Sequence, residues 1–239
     1  SWLLSLTGIQ GSSFILKMLK PSSFSPILAI VGIIFIMFTK DEKKKDIGGI
    51  FLGFAILMYG MEAMSGAVAP LADNEKFTGI LTMFSNPILG LLAGTILTAV
   101  IQSSSASVGI LQALCATGAV NFSTALPIIM GQNIGTCVTA IISSIGTSKN
   151  AKRAAAVHLF FNISGTVIFM VVFYTLNTFV HFSFLNTAAS PAGIAVIHSL
   201  FNIGATILLF PFANLLEKMA ILAIPDKGSE VEEMEEEKI

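Results

Sequence analysis

The chain has 239 residues, of which 54% are hydrophobic and only 11% are charged, for a net charge of −1. Soluble domains carry about 25% charged residues, so this composition excludes an ordinary soluble enzyme and indicates an integral membrane protein. Residues 77–148 contain no Asp, Glu, Lys or Arg at all. No basic patch with interleaved aromatic residues is present, which argues against a nucleic-acid partner.

The first predicted elements are two spans joined by a basic loop. Residues 24–46 combine an apolar segment with a lysine-rich loop, which predicts a transmembrane helix followed by a cytoplasmic loop. A second span starts at Ile47. On it, the spacing of Gly49 and Gly53 predicts a stripe of small residues for close helix packing.

Two short apolar arms, residues 87–101 and 106–118, flank the polar tetrapeptide Gln-Ser-Ser-Ser at 102–105. As helices they would reach about 22 and 20 Å, less than the ~30 Å hydrocarbon core of a bilayer. The segment is either one span with a polar centre or a re-entrant helical hairpin at about 87–118. We favour the hairpin, because it leaves an odd number of crossings between the two basic loops and so keeps both in the cytoplasm.

The remaining crossing of the uncharged stretch is expected at about 123–147. The sequence Gly-Gln-Asn-Ile-Gly-Thr at 131–136 interrupts it, which predicts a broken helix. Beyond the second basic loop, residues 154–175 are expected to cross outward and residues 190–216 to cross back. The acidic end of the chain then lies in the cytoplasm.

The two polar interruptions are rich in neutral oxygen and amide groups. These groups belong to Gln102, Ser103, Ser104, Ser105, Gln132, Asn133 and Thr136. Hydroxyl and carbonyl oxygens suit a hard cation, so Na⁺ is expected at residues 102–105. Helix N-termini at each break attract anions. One site could therefore hold an anion and its driving cation, as in transporters with broken helices.

Catalytic residues are not predicted. The aspartates all fall in expected loops or the tail, and the chain has no His/Cys metal spacing and no P-loop. Cys115 and Cys137 lie in apolar segments and are interpreted as buried hydrophobic residues. The absence of a carboxylate from 77–148 disfavours proton coupling through Asp or Glu.

A short pattern occurs twice, 40 residues apart in the chain. His158 and Asn162 in the first copy correspond to His198 and Asn202 in the second, each pair four residues apart and so on one helix face. The pairs are either a polar seam that joins helices by hydrogen bonds or a proton relay that lines a site.

Residues 99–109 and 131–139, which contain the two polar interruptions, closely resemble the sodium/phosphate cotransporter family in its bacterial type II branch. The resemblance extends over residues 47–216. It implies an all-α polytopic transmembrane helical bundle, and specifically one half of an inverted-repeat transporter. Similar proteins carry two hairpins whose Gln-Ser-Ser-Ser tips face each other around phosphate and sodium sites.

The resemblance assigns residues 1–23 to the end of a first repeat with its connecting loop, and residues 47–216 to the second repeat. Residues 217–239 resemble the acidic cytoplasmic linker to a PhoU-like domain. By this resemblance residues 102–105 are site residues, with Gln132, Asn133 and Thr136 in the neighbouring break. Only one Gln-Ser-Ser-Ser sequence is present, so we expect the first repeat to be required as a partner for transport.

The expected function is sodium-coupled symport of inorganic phosphate across the bacterial plasma membrane, with Na⁺ as the coupling ion and no other cofactor. The chain is expected not to be an enzyme. Two alternatives stay open. One is transport of another oxyanion, or proton coupling through His158 and His198; the other is a membrane phosphate sensor without transport.

Overall fold

The computed structural model describes residue 2, residues 21–68, residue 70 and residues 74–225. The described residues form nine α-helices and no strand, which confirms the predicted all-α class. The α-helices are α1 Pro21–Phe38, α2 Glu42–Val68, α3 Glu75–Met83, α4 Pro87–Ile101, α5 Ser104–Ala116, α6 Phe122–Ser143, α7 Lys149–Val180, α8 Pro191–Leu209 and α9 Ala213–Ala223. Two 3₁₀ helices, Ser183–Asn186 and Phe210–Phe212, lie in the connections.

Four segments of the described chain are long and apolar enough to cross a bilayer: Glu42–Met64, Phe122–Ser143, Lys149–Val180 and Pro191–Ala223. The apolar helices Ser23–Phe38, Pro87–Ile101 and Ser104–Ala116 are shorter. The chain is therefore a membrane protein built as a helical bundle.

Helix α6 is the centre of this bundle. In the most apolar stretch of α6, 61% of the residues are buried inside the molecule, against 17–28% in the corresponding stretches of the other three long segments. It packs against α3, α4, α5, α7 and α8. One apolar cluster on it contains Ile128 and Ile129 with Leu111 of α5, and a second contains Met130 with Phe201 of α8.

Hydrogen bonds between connecting segments define the two ends of the bundle. At one end the loop before α6 pairs with the loop before α8, where the Ala189 N–H donates to Val120 O at 2.7 Å. At the other end the Arg153 side chain near the start of α7 donates to Ile224 O after α9, at 3.0 Å. Helices α6, α7 and α8 therefore alternate in direction through the bundle.

The first two helices, α1 and α2, cross at a pair of glycines. A Cβ added at Gly32 would lie 2.7 Å from Gly48 O, and one at Gly48 would lie 2.7 Å from Gly32 O. The predicted stripe of Gly49 and Gly53 is not used among the described residues, because a Cβ at either position meets nothing within 4 Å. The close contact of α2 with α1 is made instead by Gly48, which precedes Gly49 by one residue and so lies on a different face of the helix. The predicted face was therefore wrong.

Candidate functional site

Helix α4 covers the predicted first arm of the hairpin, residues 87–101, and α5 begins and ends two residues before the predicted second arm, residues 106–118. Asn86 caps α4 by accepting hydrogen bonds from the Ile88 and Leu89 N–H groups, at 3.0 and 3.3 Å, and Pro87 occupies the first turn. Helix α4 stops at Gln102, whose backbone is left-handed with φ 57° and whose N–H donates to Thr98 O at 2.7 Å. This reversal at a single residue sends the chain directly into α5.

Glycines bring α4 and α6 into backbone contact. A Cβ on Gly94 would overlap Ile128 O, and a Cβ on Gly131 would overlap Leu91 O. Further along, a Cβ on Gly135 would lie 2.7 Å from the Thr98 Cβ. The contacts advance together along both chains, so α4 and α6 are parallel. Two helix backbones can approach this closely only where side chains are absent.

The hairpin enters and leaves at one end of α6 and turns back before the other end. Ser85, just before α4, shares a hydrogen bond of 3.0 Å with Thr124 in the first turn of α6. Thr98 of α4 lies beside Gly135 of α6. Gln102, at the tip, is four residues further along α4, so the tip lies beside about residue 139 of α6. Helix α6 continues to Ser143. This is the geometry expected of a re-entrant hairpin.

A buried polar cluster lies directly beneath the tip and joins three helices. The Ser107 Oγ of α5 accepts hydrogen bonds from the Thr98 Oγ1 of α4 at 2.7 Å and from the Gln132 Nε2 of α6 at 2.9 Å. Thr98 and Ser107 are 0% exposed and Gln132 is 1% exposed. Buried polar groups are costly unless they are paired, so this cluster fixes the two arms and α6 in one arrangement.

The tip itself presents polar groups to the surface. Gln102 and Ser105 are exposed, and Ser103 and Ser104 are half-buried. Ser103 caps α5, with its Oγ accepting from the Ala106 N–H at 3.2 Å. Within the described chain the N–H groups of Ser104 and Ser105 make no hydrogen bond. The N-terminal turn of α5 therefore offers free donors and the positive end of a helix dipole.

The buried Gln132 also carries an unused acceptor. Its Oε1 has no hydrogen-bond partner among the described residues, although its Nε2 is bound to Ser107. A buried carbonyl oxygen without a donor is uncommon and calls for an explanation. Carbonyl oxygens are among the ligands that hard cations prefer, so the Gln132 Oε1 is a candidate cation ligand.

The predicted break at about 123–147 is wrong, because α6 runs without interruption from Phe122 to Ser143. Two polar side chains of the motif bond within their own helix. The Asn133 Nδ2 donates to Ile129 O at 2.9 Å, and the Thr136 Oγ1 donates to Gln132 O at 2.8 Å. The glycines serve close packing rather than a break, so this segment offers no second helix N-terminus for an anion.

Of the predicted site residues on α6, the structure brings only Gln132 to the hairpin. Within the described residues no hydrogen bond joins Asn133 or Thr136 to residues 102–105. The buried Asn133 lies on another face, in line with Cys137, whose Sγ contacts His158 O of α7 at 3.6 Å. The roles of Asn133 and Thr136 as ligands thus stay predictions.

The repeated His–Asn pattern has the same local structure in both copies. The Asn162 Nδ2 donates to His158 O at 2.9 Å, and the Asn202 Nδ2 donates to His198 O at 2.8 Å. Each asparagine is therefore bonded to the backbone of its own helix. Bonds within one helix do not join helices, so they support neither the seam nor the proton relay, and both interpretations stay predictions.

Equivalent positions of the two copies meet where α7 and α8 cross. A Cβ on Gly165 would lie 3.2 Å from the Ala205 Cβ, and these residues follow His158 and His198 by seven positions each. The helices are antiparallel, so each histidine lies about 10 Å from the crossing, in opposite directions. The separation along the bundle is about 21 Å, which argues against direct proton exchange between them.

Sequence reasoning missed three residues of this region. Thr98 and Ser107 complete the cluster beneath the tip, and the buried Gln112 of α5 donates from its Nε2 to Pro191 O at the start of α8, at 2.9 Å. A signal was present, since all three are polar residues within otherwise apolar arms. Their partners, however, are 9 to 79 residues away and depend on the tertiary packing.

Comparison with known proteins identifies the family. The family model described as Na+/Pi-cotransporter matches residues 5–66 and 56–210, which include the whole hairpin and α6 to α8. The chain belongs to the Na+/Pi-cotransporter family. Membership of this transporter family confirms the resemblance carried by the two polar motifs. No solved structure matches the chain.

Proteins similar to this chain come from bacteria and mammals. "Uncharacterized protein YqeW" of Bacillus subtilis is 30% identical over 203 residues, covering 84% of this chain and 64% of that protein. "Putative inorganic phosphate export protein YjbB" of Escherichia coli is 25% identical over 209 residues, covering 86% and 38%. "Sodium-dependent phosphate transport protein 2A" of Rattus norvegicus is 39% identical over 113 residues, covering 45% and 17%. The chain thus spans less than two thirds of each of these relatives.

Proposed function

We propose that the hairpin tip and Gln132 form one half of the phosphate and sodium site of a symporter for inorganic phosphate. The observation that carries the proposal is the free N-terminal turn of α5 next to a buried carbonyl oxygen without a donor. N–H groups that can bind an anion and a carbonyl oxygen that can bind a cation thus lie within about one helical turn of each other. The names of the mammalian relatives, which are sodium-dependent phosphate transport proteins, support this assignment.

Phosphate binding would use the donors of the tip. The N–H groups of Ser104 and Ser105 and the hydroxyls of the three serines can donate to phosphate oxygens. Residues 77–148 carry no carboxylate that would repel the anion and no lysine or arginine that would hold it too tightly. A neutral site of this kind can release its ligand, as transport requires.

Sodium binding would use the oxygens beside it. The Gln132 Oε1 and serine hydroxyls are suitable ligands, and Gln102, Asn133 and Thr136 stay as predicted contributors. A bound cation lowers the electrostatic cost of holding phosphate, and the anion does the same for the cation. This mutual effect couples the two ligands and accounts for symport without a titratable carboxylate.

Movement of the site is proposed to involve the hairpin and α6 as one body. Their backbone contact through Gly94 and Gly131 leaves no room for sliding. In an inverted-repeat transporter, one such body rocks against the opposing repeat and exposes the site to each side in turn. The first repeat of the same protein is the partner we propose to close the site, and a PhoU-like cytoplasmic domain stays a prediction.

The direction of transport follows from the ion gradient. With the two basic loops and the acidic tail in the cytoplasm of a bacterium, an inward sodium gradient would drive phosphate import. The Escherichia coli relative is named a putative inorganic phosphate export protein, so the flux assay imposes the sodium gradient in both directions. Proton coupling through His158 and His198 is less well supported, given their separation of about 21 Å.

The test is flux of labelled phosphate in proteoliposomes that contain the complete protein, with the sodium gradient imposed inward, outward or replaced by potassium. We expect accumulation that follows the sodium gradient. The double variant Ser104→Ala with Gln102→Ala removes site donors and should lower the rate at least tenfold. Thr178→Ala is the matched control, because its hydroxyl is exposed and bonds only to Thr175 O of its own helix.

Two outcomes would overturn the proposal: flux that ignores sodium, or flux that survives the double variant. Competition by sulfate, arsenate and carboxylates identifies the cargo. Tight phosphate binding without net flux would favour the sensor alternative instead.

A further inference from the structure

A ligand-sized groove lies away from the hairpin, at the turn that connects α6 to α7. Its volume is about 390 Å³. The residues that define it are Ile141, Ser144, Ile145, Lys152, Ala155 and Leu159. It is thus an apolar trough with one serine and one lysine at its edge.

Lys152 is the only charged residue among the described residues that line this groove, and no described residue neutralises its charge. The side chain is half-buried, and its Nζ makes no hydrogen bond or ion pair with any described residue. Within the part of the chain that the structure describes, no Asp or Glu lines the groove. A half-buried ammonium without a counterion favours an anion as the missing partner.

The position of the groove relates it to the membrane surface. It lies where the uncharged residues 77–148 end and the basic residues of α7 begin. Ile141 and Ile145 are exposed along its wall. An apolar wall beside a cation offers the two contacts that a phospholipid makes at a membrane surface.

We propose that this groove binds an anionic phospholipid, with the headgroup phosphate on Lys152 and an acyl chain along Ile145 and Leu159. Charge complementarity selects an anionic headgroup over a zwitterionic one. The neighbouring cavity between α7 and α9 is a poorer candidate, because Glu217 lines it together with Arg153. The inference is independent of the proposed transport function.

The test measures which lipids stay bound to the chain. The protein is reconstituted in nanodiscs with equal amounts of phosphatidylglycerol and phosphatidylcholine, released into detergent and analysed by native mass spectrometry. We expect phosphatidylglycerol adducts to predominate. Lys152→Gln should reduce them about fivefold, as expected for one lysine at a membrane surface, while Lys152→Arg should retain them.

Matched variants make the result specific to the groove. Lys44→Gln removes the same charge from an exposed position on the first turn of α2 and should leave retention unchanged. Circular dichroism checks that each variant is folded. Ile145→Asn, at the exposed wall, should weaken retention without changing the charge.

Several outcomes would overturn the proposal. The first is an equal loss of phosphatidylglycerol adducts in Lys152→Gln and Lys44→Gln. The second is equal retention of phosphatidylglycerol and phosphatidylcholine, and the third is complete displacement of the bound lipid by free inorganic phosphate. Retention that emerges only after deletion of residues 226–239 would also overturn it, because the acidic tail would then be the occupant.

Discussion

The α4–α6 and α7–α8 contacts both depend on small residues, yet they differ in what those residues touch. Between α4 and α6, a Cβ on Gly94 or Gly131 would overlap a main-chain carbonyl oxygen of the facing helix. Between α7 and α8, a Cβ on Gly165 would meet the Cβ of Ala205 at 3.2 Å and the flexible end of Leu209 at 3.6 Å. The overlaps with carbonyl oxygens require the two helix backbones to separate, whereas the contact with the Ala205 Cβ requires a shift of only a few tenths of an ångström.

This difference corresponds to the chemistry each contact supports. The α4–α6 contact lies beside Thr98, Ser107 and Gln132, whose hydrogen bonds tolerate only small changes in distance. The α7–α8 contact lies among apolar and aromatic groups, such as Phe169 and Phe201 with ring centroids 5.3 Å apart. A rigid contact therefore supports the polar site, and an adaptable one joins the rest of the bundle.

Gly131→Ala should have the largest effect, because the new methyl group forces α4 and α6 apart. We expect a loss of about 3 kcal/mol in the free energy of unfolding, measured by detergent-denaturant titration. The matched control is Gly49→Ala, also inside a helix, where a Cβ meets nothing within 4 Å and the helix preference of alanine should raise the free energy of unfolding by up to about 1 kcal/mol. Similar values for the two variants would refute the backbone contact.

Ser107→Ala should have an intermediate effect. It removes the acceptor of both Thr98 and Gln132 and leaves two buried polar groups without a partner. We expect a loss of about 1–2 kcal/mol in the same titration, since hydrogen bonds within membranes contribute modestly. Ser107→Thr, which keeps the hydroxyl, checks whether the loss comes from the hydrogen bonds. An unchanged stability in Ser107→Ala would show that the cluster does not hold the hairpin.

Gly165→Ala should have the smallest effect of the three. The added methyl requires only a shift of a few tenths of an ångström at Ala205, and alanine favours the helix by about 1 kcal/mol over glycine. We expect these contributions to cancel to within about 0.5 kcal/mol in the unfolding titration. A loss as large as that of Gly131→Ala would mean that the two contacts are equally rigid.

The local signals in the sequence predicted the hairpin well. Asn86 and Pro87 start α4 as expected, and the apolar arms have the expected lengths. These features depend on capping and on proline geometry, which act within a few residues. The membrane class followed from the missing charges of residues 77–148.

The structure of α6 could not be predicted in the same way. Glycine and polar residues within an apolar segment indicate a break or a close helix contact equally well, and only the partner helix decides between them. Here α4 supplies the partner, and Asn133 and Thr136 bond to their own helix. The contacts of Ser107 and Gln112 depended on the tertiary fold for the same reason.

Protection of the tip by its ligands tests the central claim most directly. Ser105→Cys places a thiol at an exposed position of the tip, while the native Cys115 and Cys137 are buried and should react slowly. Thr178→Cys provides an exposed control position. The measurement is the rate of labelling by a charged thiol reagent in vesicles that contain the complete protein.

We predict that phosphate with sodium slows the labelling of Ser105→Cys, that phosphate with potassium does not, and that Thr178→Cys responds to neither. Labelling of Ser105→Cys at one rate under all conditions would contradict the assignment of the hairpin tip as the phosphate and sodium site.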